Sequence, residues 1–510
     1  GFGLADRERE VAADARTLFP IASVTKTFTG TAVMQLVEQG RLELDTPIAC
    51  YIPELVLPGG EERTITPRVL LTHHSGVQGD IMYRWILPEP EPRPYNAIVE
   101  LANQVGTVFR PGTMHSYSNA GYALLGVLIE RASGLSYAEY LRRNIFRPLG
   151  FRDSVVHPGE ATERVLATGY TGDGSTSPPM IRDIPAGALA LSARDAAAYL
   201  RGVLEAYRGT EAGSGALLRR ASMREMMSVQ NADVPMDRGF SIGLTWFLQD
   251  PIGVDTLVAA HGGDIAPYES VLITMPELGI GVFVACNGSG KGRMTAVEMG
   301  SDIAAALYEY RTGKEPDPQS PGKRASLGRR QAGALEGTYA TFMGPLGVRA
   351  KRTSLRLDIA PVPVAMIPHR DGVFSLQARL FGFLPIPVSA LRSLTADFRE
   401  YDNESYLYVQ AGGVMQFPGK RITPFAMPEE FARYEGRYTI VNMDDSDYIR
   451  DVTVRRDEEA GFTYLEYSWL GNAMRFALRP TGERSARTAG IGRGMGEGLR
   501  WKRSERGLRM

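Results

Sequence analysis

The chain has 510 residues, which is too long for one ordinary core at ~100 to 200 residues per domain, so it predicts a multidomain protein. A formal net charge of -1, with 44% hydrophobic and 23% charged residues, gives no reason to expect nucleic acid or an anionic membrane as a partner. Two cysteines, Cys50 and Cys286, exclude a disulfide framework and a four-cysteine metal site, and no apolar run reaches the ~18 residues of a transmembrane helix.

The first predicted helix runs from about Ser23 to Gln39, after a strand end and a polar turn in residues 1–18. Gly40 follows as a stop signal, and apolar side chains recur at a four-residue spacing at Val24, Phe28, Ala32 and Leu36. The chain opens at Gly1 with neither an initiator methionine nor a signal peptide. We therefore expect any targeting segment to lie outside this sequence.

The next part of the chain is read as loops around one strongly apolar helix. Turn signals fill residues 41–70, and the proline-rich stretch 87–94 predicts a surface excursion. A turn-rich loop, 109–119, then precedes a helix over 120–133 that Gly134 closes. This loop is expected to deliver its side chains beside a rigid element.

Helices in the middle and strands late in this segment predict an α/β or α+β domain with a mostly antiparallel sheet flanked by helices. The predicted helices cover residues 136–146, 192–208, 219–228 and 294–310. The predicted strands cover residues 240–248, 255–260, 270–274 and 281–286.

A linker rich in proline, glycine and charge is predicted at residues 311–330, after a catalytic domain at 1–310. Beyond it, LEGTY at 335–339 and YEGRY at 434–438 form an internal repeat 99 residues apart, and each copy opens a run of short alternating strands. Two small antiparallel β-barrels, at 331–424 and 425–510, are the predicted architecture, with a single larger barrel as the alternative. The arginine-rich end is interpreted as a solvated edge.

The motif S-x-x-K at Ser23 and Lys26 is the strongest candidate for chemistry. Positions three apart share a helix face, so the hydroxyl and the amine should lie within reach of each other, as an activated nucleophile beside a base requires. The chain has 7 lysines among its 57 cations, and Lys26 is the only one before Lys291. An amine can lose its proton when it is buried, whereas a guanidinium cannot.

Three other motifs compete with this pair. Gly239 to Gly243 matches G-x-S-x-G, but the strand-like stretch that follows Ser241 is not the helix that a nucleophile elbow needs. Residues 288–292 (GSGKG) lack the remaining glycine and hydroxyl of a phosphate loop and predict a turn. His73 and His74 are adjacent and no H-E-x-x-H occurs, so we predict no metal and no cofactor, with His73 a structural residue of its loop.

Taken together, Ser23 and Lys26, Tyr117-Ser-Asn119 and His261-Gly-Gly263 resemble, in order and rough spacing, the three signatures of the penicillin-recognising serine hydrolases. The resemblance is to the branch with class C β-lactamases, D,D-carboxypeptidases, D-aminopeptidases and β-lactamase-like esterases. It covers about residues 1–310, and LLTHHSG at 70–76, YSNAGYALLG at 117–126 and AGALALS at 186–192 agree with it. It implies a β-lactamase/transpeptidase-like catalytic domain, followed by two lipocalin-like barrels.

The resemblance also implies a role for each matched residue. Ser23 is the acylated nucleophile and Lys26 its proton partner, while Tyr117 relays a proton to the leaving group and later activates water. Asn119 binds the substrate amide or polarises Lys26. Backbone N–H groups of Ser23 and of Asp264, just after Gly263, form an oxyanion hole, and His261 lines the site.

Several positions depart from the family pattern. His261 replaces a lysine common in true β-lactamases, and with an ordinary pKa of ~6.5 it is mostly neutral at pH 7, which puts recognition of a substrate carboxylate in doubt. Asp264 stands where small residues are usual. The family's first helix and strands before the nucleophile are absent from this sequence, so we expect an N-terminal truncation with an uncovered sheet edge.

The sequence thus predicts a serine hydrolase with two accessory barrels, acting on a small-molecule or short-peptide substrate. An amide or peptide, including one with D-residues, is favoured over a carboxylic ester or a β-lactam. A catalytically silent scaffold that binds peptides or peptidoglycan is the alternative from another class. An extracytoplasmic or periplasmic location is favoured over a cytoplasmic one, and the sequence indicates no oligomeric state.

Overall fold

The structure is a computed structural model of the chain. It describes all residues except 82–83, 162–164, 172–173, 210–216, 238, 289–294, 318–321, 342–343, 359–363, 381–383, 386–390, 392–393, 412–414, 426, 439–448, 470–471, 491–495, 497, 501, 505–506 and 510. Contacts divide the chain into two compact units, Gly1–Val77 with Ile81–Pro318, and Gln78–Asp80 with Gln319–Met510. The change of unit falls inside the predicted linker, but the grouping of residues 78–80 with the second unit had no signal in the sequence.

The helices that the structure describes are α1 (Thr25–Glu38), α2 (Pro67–Leu71), α3 (Ala97–Val105), α4 (Asn119–Ser133), α5 (Tyr137–Leu141), α6 (Ile184–Gly187), α7 (Ala193–Arg208), α8 (Arg220–Met226), α9 (Ala296–Thr312) and α10 (Arg329–Leu335). Their ends follow local chemistry. The Ser118 hydroxyl caps the start of α4, and Gly134, with φ of 76°, ends it. None of the described helices is long and apolar enough to cross a membrane.

The strands of the first unit are β1 (Leu4–Asp6), β2 (Val11–Ala12), β3 (Leu18–Pro20), β4 (Gly169–Thr171), β5 (Gly174–Thr176), β6 (Ala190–Ser192), β7 (Ala259–Ile265), β8 (Tyr268–Met275) and β9 (Ile280–Cys286). The last three form an antiparallel sheet in the order β7-β8-β9, with His261 opposite Leu272. Helices α7 and α9 pack against β9, and α1 packs against α4 and α6. Helix α1 is buried on every face from Thr25 to Leu36, so it lies inside the unit.

The strands of the second unit are β10 (Gly337–Thr341), β11 (Gly344–Lys351), β12 (Ser354–Asp358), β13 (Val364–Pro368), β14 (Phe374–Leu380), β15 (Leu384–Pro385), β16 (Leu394–Tyr401), β17 (Glu404–Ala411), β18 (Met415–Ile422), β19 (Gly436–Tyr438), β20 (Ile449–Asp457), β21 (Phe462–Trp469), β22 (Asn472–Gly482), β23 (Ser485–Thr488), β24 (Gly498–Arg500), β25 (Lys502–Ser504) and β26 (Gly507–Arg509). Eight of them close into an antiparallel barrel, in the order β13-β12-β11-β10-β18-β17-β16-β14, when β14 pairs with β13. Strands β19 to β24 form a curled six-stranded sheet. The predicted fold class is confirmed, with the second barrel present as this curled sheet.

Three element predictions in the first unit were wrong in detail. The strand predicted at 255–260 lies at Ala259–Ile265, as β7. Ser23 lies in a 3-10 turn, Ala22–Val24, and the α-helix begins only at Thr25. The strand predicted at 240–248 is a tight turn with single bridges from Ile242 to Phe247 and from Phe247 to Ala260. Both arms of this turn pack into the core, so alternating apolar residues arose without an extended strand.

Candidate active site

The backbone before Ser23 is held firmly and in an unusual conformation. The Ile21 N–H donates to the Leu189 carbonyl (2.9 Å), and the Ile21 carbonyl accepts from Ser270 Oγ (2.7 Å). Ala22 then adopts a φ of 45°, which L-residues other than glycine seldom take. Such strain persists only where the surroundings enforce it, and here it sets the position of the adjoining Ser23.

Lys26 is fully buried and lies about one helical turn after Ser23. Its Nζ donates to Ser23 Oγ at 3.1 Å, to Asn119 Oδ1 at 2.7 Å and to the Ala186 carbonyl at 2.6 Å. An ammonium has three N–H donors and no acceptor, so these contacts match the charged form of the side chain. The same Nζ lies 4.8 Å from the centre of the Tyr117 ring.

Tyr117 and Asn119 reach this lysine because α4 begins between them. Ser118 accepts from the Gly121 N–H through its hydroxyl (2.9 Å) and donates its own N–H to His73 Nδ1 (3.1 Å). The His73 ring lies 4.2 Å from the Tyr117 ring, centre to centre, with the planes 30° apart. His73 therefore fixes both the start of α4 and the plane of Tyr117, which supports its predicted structural role.

Strand β7 borders the serine from another side. A Cβ added to Gly263 would lie 2.1 Å from the Ile21 carbonyl oxygen, so only glycine permits this approach. Ala260 exchanges hydrogen bonds with Phe247 (2.9 Å each), on the edge of β7 away from β8. Because strand residues alternate, the Asp264 N–H points to that same outer edge, as an oxyanion donor would need. The Asp264 side chain is exposed.

His261 is 1% exposed and is held by its Nδ1, which lies 2.7 Å from the Gly262 carbonyl and so donates a proton to it. Burial, aided by the charge of Lys26, lowers the pKa of His261 to about 3. The ring is therefore neutral at physiological pH. Its Nε2 is buried without a hydrogen-bond partner among the described residues, and this leaves an acceptor inside the site.

Behind Tyr117 lies a buried group of histidines. His74 Nε2 meets Asp237 Oδ2 at 2.6 Å, while Asp237 Oδ1 accepts from the His115 N–H at 2.8 Å. Burial lowers the pKa of His115 to about 3, although the charge of Asp237 acts in the opposite direction. Burial also holds the pKa of His73 well below its ordinary value, with His115 and Lys26 adding to the effect. The rings of His73 and His115 are thus neutral where they pack behind the site.

The structure brings six of the seven predicted site residues to one place around Ser23, and it places the seventh, Asp264, at the same edge through its backbone. Ser241 of the G-x-S-x-G motif is followed by the tight turn and not by a helix, which removes the nucleophile elbow. Residues 289–292 of the GSGKG stretch lie outside the described residues.

Sequence reasoning missed two groups that contact Lys26. The Ala186 carbonyl is a backbone group, and no side-chain motif announces it. Tyr122, whose ring centre lies 5.3 Å from Lys26 Nζ, follows Asn119 by three residues on α4. That spacing places both on one helix face and could have identified Tyr122.

A serine and a lysine at the start of a buried helix, facing a Tyr-x-Asn loop and an edge strand, define the class of penicillin-recognising serine-hydrolase folds. Residues 1–305 match the family described as Beta-lactamase, more than half of the chain, and the chain belongs to that family.

Relatives and solved structures agree with this assignment. Penicillin-binding protein 4 of Amycolatopsis lactamdurans is 32% identical over 302 residues, in a match that covers 56% of this chain and 76% of the relative. The putative penicillin-binding protein PbpX of Bacillus subtilis is 33% identical over 185 residues, 36% of this chain and 44% of PbpX, so the chain spans less than half of that relative. A structure of SurE with D-Leu is similar at a TM-score of 0.59 and 26% identity, over 82% of this chain and 91% of SurE.

Proposed function

We propose that this protein is a serine hydrolase that forms an acyl-enzyme on Ser23 and cleaves amide or peptide bonds. The observation that carries the proposal is the state of Lys26, which is fully buried and donates to Ser23 Oγ. A lysine that served only solubility would keep its charge in water, because burying an ammonium is costly. An ammonium that donates to Ser23 Oγ stabilises the negative charge that develops on this oxygen as the serine proton leaves, which favours nucleophilic attack.

The proposed reaction uses the groups around Lys26 in two halves. Ser23 Oγ bonds to the substrate carbonyl carbon, and its proton passes by way of Tyr117, with Lys26 as exchange partner, to the leaving nitrogen as the C–N bond breaks. The backbone N–H groups of Ser23 and Asp264 hold the oxyanion. Water then attacks the ester, Tyr117 takes its proton, and the acid leaves with Ser23 restored.

The substrate class is proposed from the neutral state of His261. A neutral imidazole offers no positive charge to a substrate carboxylate, and this favours amides and peptides over β-lactams. The likeness to SurE, whose structure contains D-Leu, directs the proposal towards an acyl group that carries a D-residue. A carboxylic ester is the second candidate, because the same acyl-enzyme forms from an ester.

The test compares two serines in one protein. Wild type, Ser23→Ala and Ser241→Ala are treated with a fluorescent penicillin and with the p-nitroanilides of D-leucine and L-leucine. From wild type and from Ser241→Ala we expect p-nitroaniline release, with the D-anilide faster, and slower labelling by the penicillin. We expect neither from Ser23→Ala.

Each other outcome has a definite meaning. Turnover of a p-nitrophenyl ester without anilide cleavage would make the protein an esterase. A folded wild type that no probe acylates would overturn the proposal and leave the silent binding scaffold. Acylation that survives in Ser23→Ala but disappears in Ser241→Ala would show that Ser241, and not Ser23, is the nucleophile.

A further inference from the structure

Tyr122 presents an aromatic ring to the charged end of Lys26. It lies on α4, on the same face as Asn119, and its ring centre is 5.3 Å from Lys26 Nζ. Tyr122 is fully buried. A cation within about 6 Å of a ring centre is attracted by the ring, and more strongly where water is excluded. The ring therefore favours the charged form of Lys26 and limits where its Nζ can lie.

The Tyr122 hydroxyl is held by two partners from elsewhere in the chain. It donates to the Leu71 carbonyl at 2.9 Å and lies 3.0 Å from Thr245 Oγ1. The phenol hydroxyl is the donor in both contacts, so its one proton is shared between the Leu71 carbonyl and Thr245 Oγ1. The Thr245 N–H also donates to the Leu71 carbonyl, at 3.1 Å. The Tyr122 hydroxyl and the Thr245 backbone thus share the Leu71 carbonyl as hydrogen-bond acceptor.

Thr245 supplies its hydroxyl from a strained backbone. It is the third residue of the tight turn Gly243–Trp246, which the Gly243 N–H closes on the Trp246 carbonyl at 2.8 Å, and its φ is 79°. A positive φ is a genuine outlier for a β-branched residue, and turns of this kind favour glycine there. Helix α1 has a glycine, Gly30, where it faces this side chain. A Cβ at Gly30 would lie 2.2 Å from Thr245 Oγ1, so the glycine leaves room for the hydroxyl.

We infer that Tyr122 and Thr245 form a positioning pair for Lys26, in which the Thr245 hydroxyl orients the Tyr122 ring and the ring holds the ammonium against Ser23 and Asn119. This inference rests on the proposed function, since its readout is acylation of Ser23. Strain at Thr245 then lets a side chain of the 243–246 turn reach the Tyr122 hydroxyl. Neither residue touches the substrate.

A double-mutant cycle tests the pair with variants that keep side-chain volume. Tyr122→Phe and Thr245→Val each remove one hydroxyl of the same contact, so each should lower the acylation rate constant about 5-fold, the factor that one hydrogen bond represents. The double variant should be no slower than the slower single variant, because the second change removes nothing more. Thr245→Ser keeps the hydroxyl and should restore the rate to within about 2-fold.

The ring is tested separately by Tyr122→Leu and the pH profile of acylation. Loss of the ring disfavours the charged amine, so the alkaline limb of the profile should move down by about 0.5 to 1 pH unit, while Tyr122→Phe leaves that limb in place. Tyr199→Phe is the matched control. Its hydroxyl meets Thr31 Oγ1 at 3.1 Å, also buried against α1, so it should lower the melting temperature without changing acylation.

Unchanged acylation in both single variants, or rates that multiply in the double variant, would overturn the inference while leaving the proposed function intact. An unmoved alkaline limb in a folded Tyr122→Leu would remove the role of the ring. If Tyr122→Leu does not fold, the volume-keeping cycle decides by itself. A folded wild type without any acylation would refute the proposed function and this inference with it.

Discussion

The two units differ in whether described residues with positive φ, other than glycine, occur inside the core. In the first unit, three of the described residues with positive φ other than glycine are buried, Ala22, His73 and Thr245, and three are exposed, Glu10, Arg84 and Arg93. In the second unit they include Asp402 and Asn403, which are exposed and form the two-residue turn between β16 and β17. Asp and Asn tolerate this conformation and such turns require it. Strain inside a core has no such explanation, and the three buried positions adjoin or contact Ser23, Tyr117 and Tyr122.

Buried polar groups divide in the same way. The first unit buries Lys26, His261 and the ion pair of Arg182 with Asp183, in which Arg182 Nε lies 2.7 Å from Asp183 Oδ1. The barrel core is an apolar cluster that includes Val348, Leu357, Leu376, Ala396, Leu407 and Val409. Desolvating charged groups costs free energy that an apolar core avoids. The barrel also buries polar groups, in His369 and in the pair of Arg399 with Asp397, so the contrast is one of degree: among the described residues, the charged groups that are almost completely buried lie in the first unit.

The largest expected effect on the proposed site is that of a substitution at Lys26. Lys26→Arg keeps the charge but cannot exchange a proton, and its forked end does not fit three acceptors arranged around one nitrogen. Because general acid–base groups contribute ~100-fold to 10,000-fold, the acylation rate should fall at least ~100-fold in a protein that circular dichroism shows to be folded. Lys314→Arg is the control, since Lys314 pairs with Asp255 in solvent. Near-normal turnover by Lys26→Arg would remove the basis of the proposed site.

A large-to-small substitution in the barrel core should lower stability and leave acylation unchanged. Leu407 is fully buried in that cluster, so Leu407→Ala should lower the free energy of unfolding by about 2 to 5 kcal/mol. We expect the acylation rate of the folded protein at 25 °C to stay within about 2-fold of wild type, because the catalytic groups lie in the first unit. Chemical denaturation and probe labelling measure the two effects. A large loss of acylation with little loss of stability would tie the barrel to the chemistry.

How much of this was predictable depends on whether the signal is local. The S-x-x-K spacing, the glycine that ends α4 and the alternation of β12 or β20 all lie within a few residues, and each was predicted from the sequence. The Ala186 carbonyl has no side chain to announce it. Tyr122 and Thr245 are 123 residues apart, and the apolar alternation around Thr245 was mistaken for a strand because a tight turn in a core shows the same pattern.

Low pH should sharpen the comparison through the buried histidines. The pKa of His115 falls from about 6.5 when unfolded to about 3 in the folded state, so its contribution to stability is present above pH ~6.5 and is lost as the pH falls towards 3. His115→Gln should therefore make the decline in unfolding free energy between pH 6 and 4 shallower, by about 1.4 kcal/mol per pH unit.

The control for this measurement is Phe240→Leu. Phe240 packs against His115 at 4.5 Å between ring centres and has no titratable group. Its substitution should therefore lower the unfolding free energy at every pH without changing the slope against pH. An unchanged slope in His115→Gln would show that the folded state accommodates the charged ring.

The smallest expected effect concerns the internal repeat of the second unit. The Tyr339 hydroxyl donates to the Leu335 carbonyl at 3.0 Å and the Tyr438 hydroxyl to the Tyr434 carbonyl at 2.5 Å, so each copy ties the end of a short helical turn to the strand that follows it. Tyr339→Phe removes one such hydrogen bond and keeps the ring. It should lower the free energy of unfolding by about 1 kcal/mol, and Tyr438→Phe should do the same.

Neither variant should change acylation, in contrast to Tyr122→Phe, which removes a phenol hydroxyl from the first unit. Urea unfolding and probe labelling of all three variants in parallel make the comparison. If Tyr339→Phe slowed acylation as much as Tyr122→Phe, a buried phenol hydroxyl would affect the site wherever it lies, and the distinction between a functional and a supporting unit would fail. If only Tyr122→Phe does so, loss of one hydrogen bond has a functional effect only where the backbone is strained around Lys26.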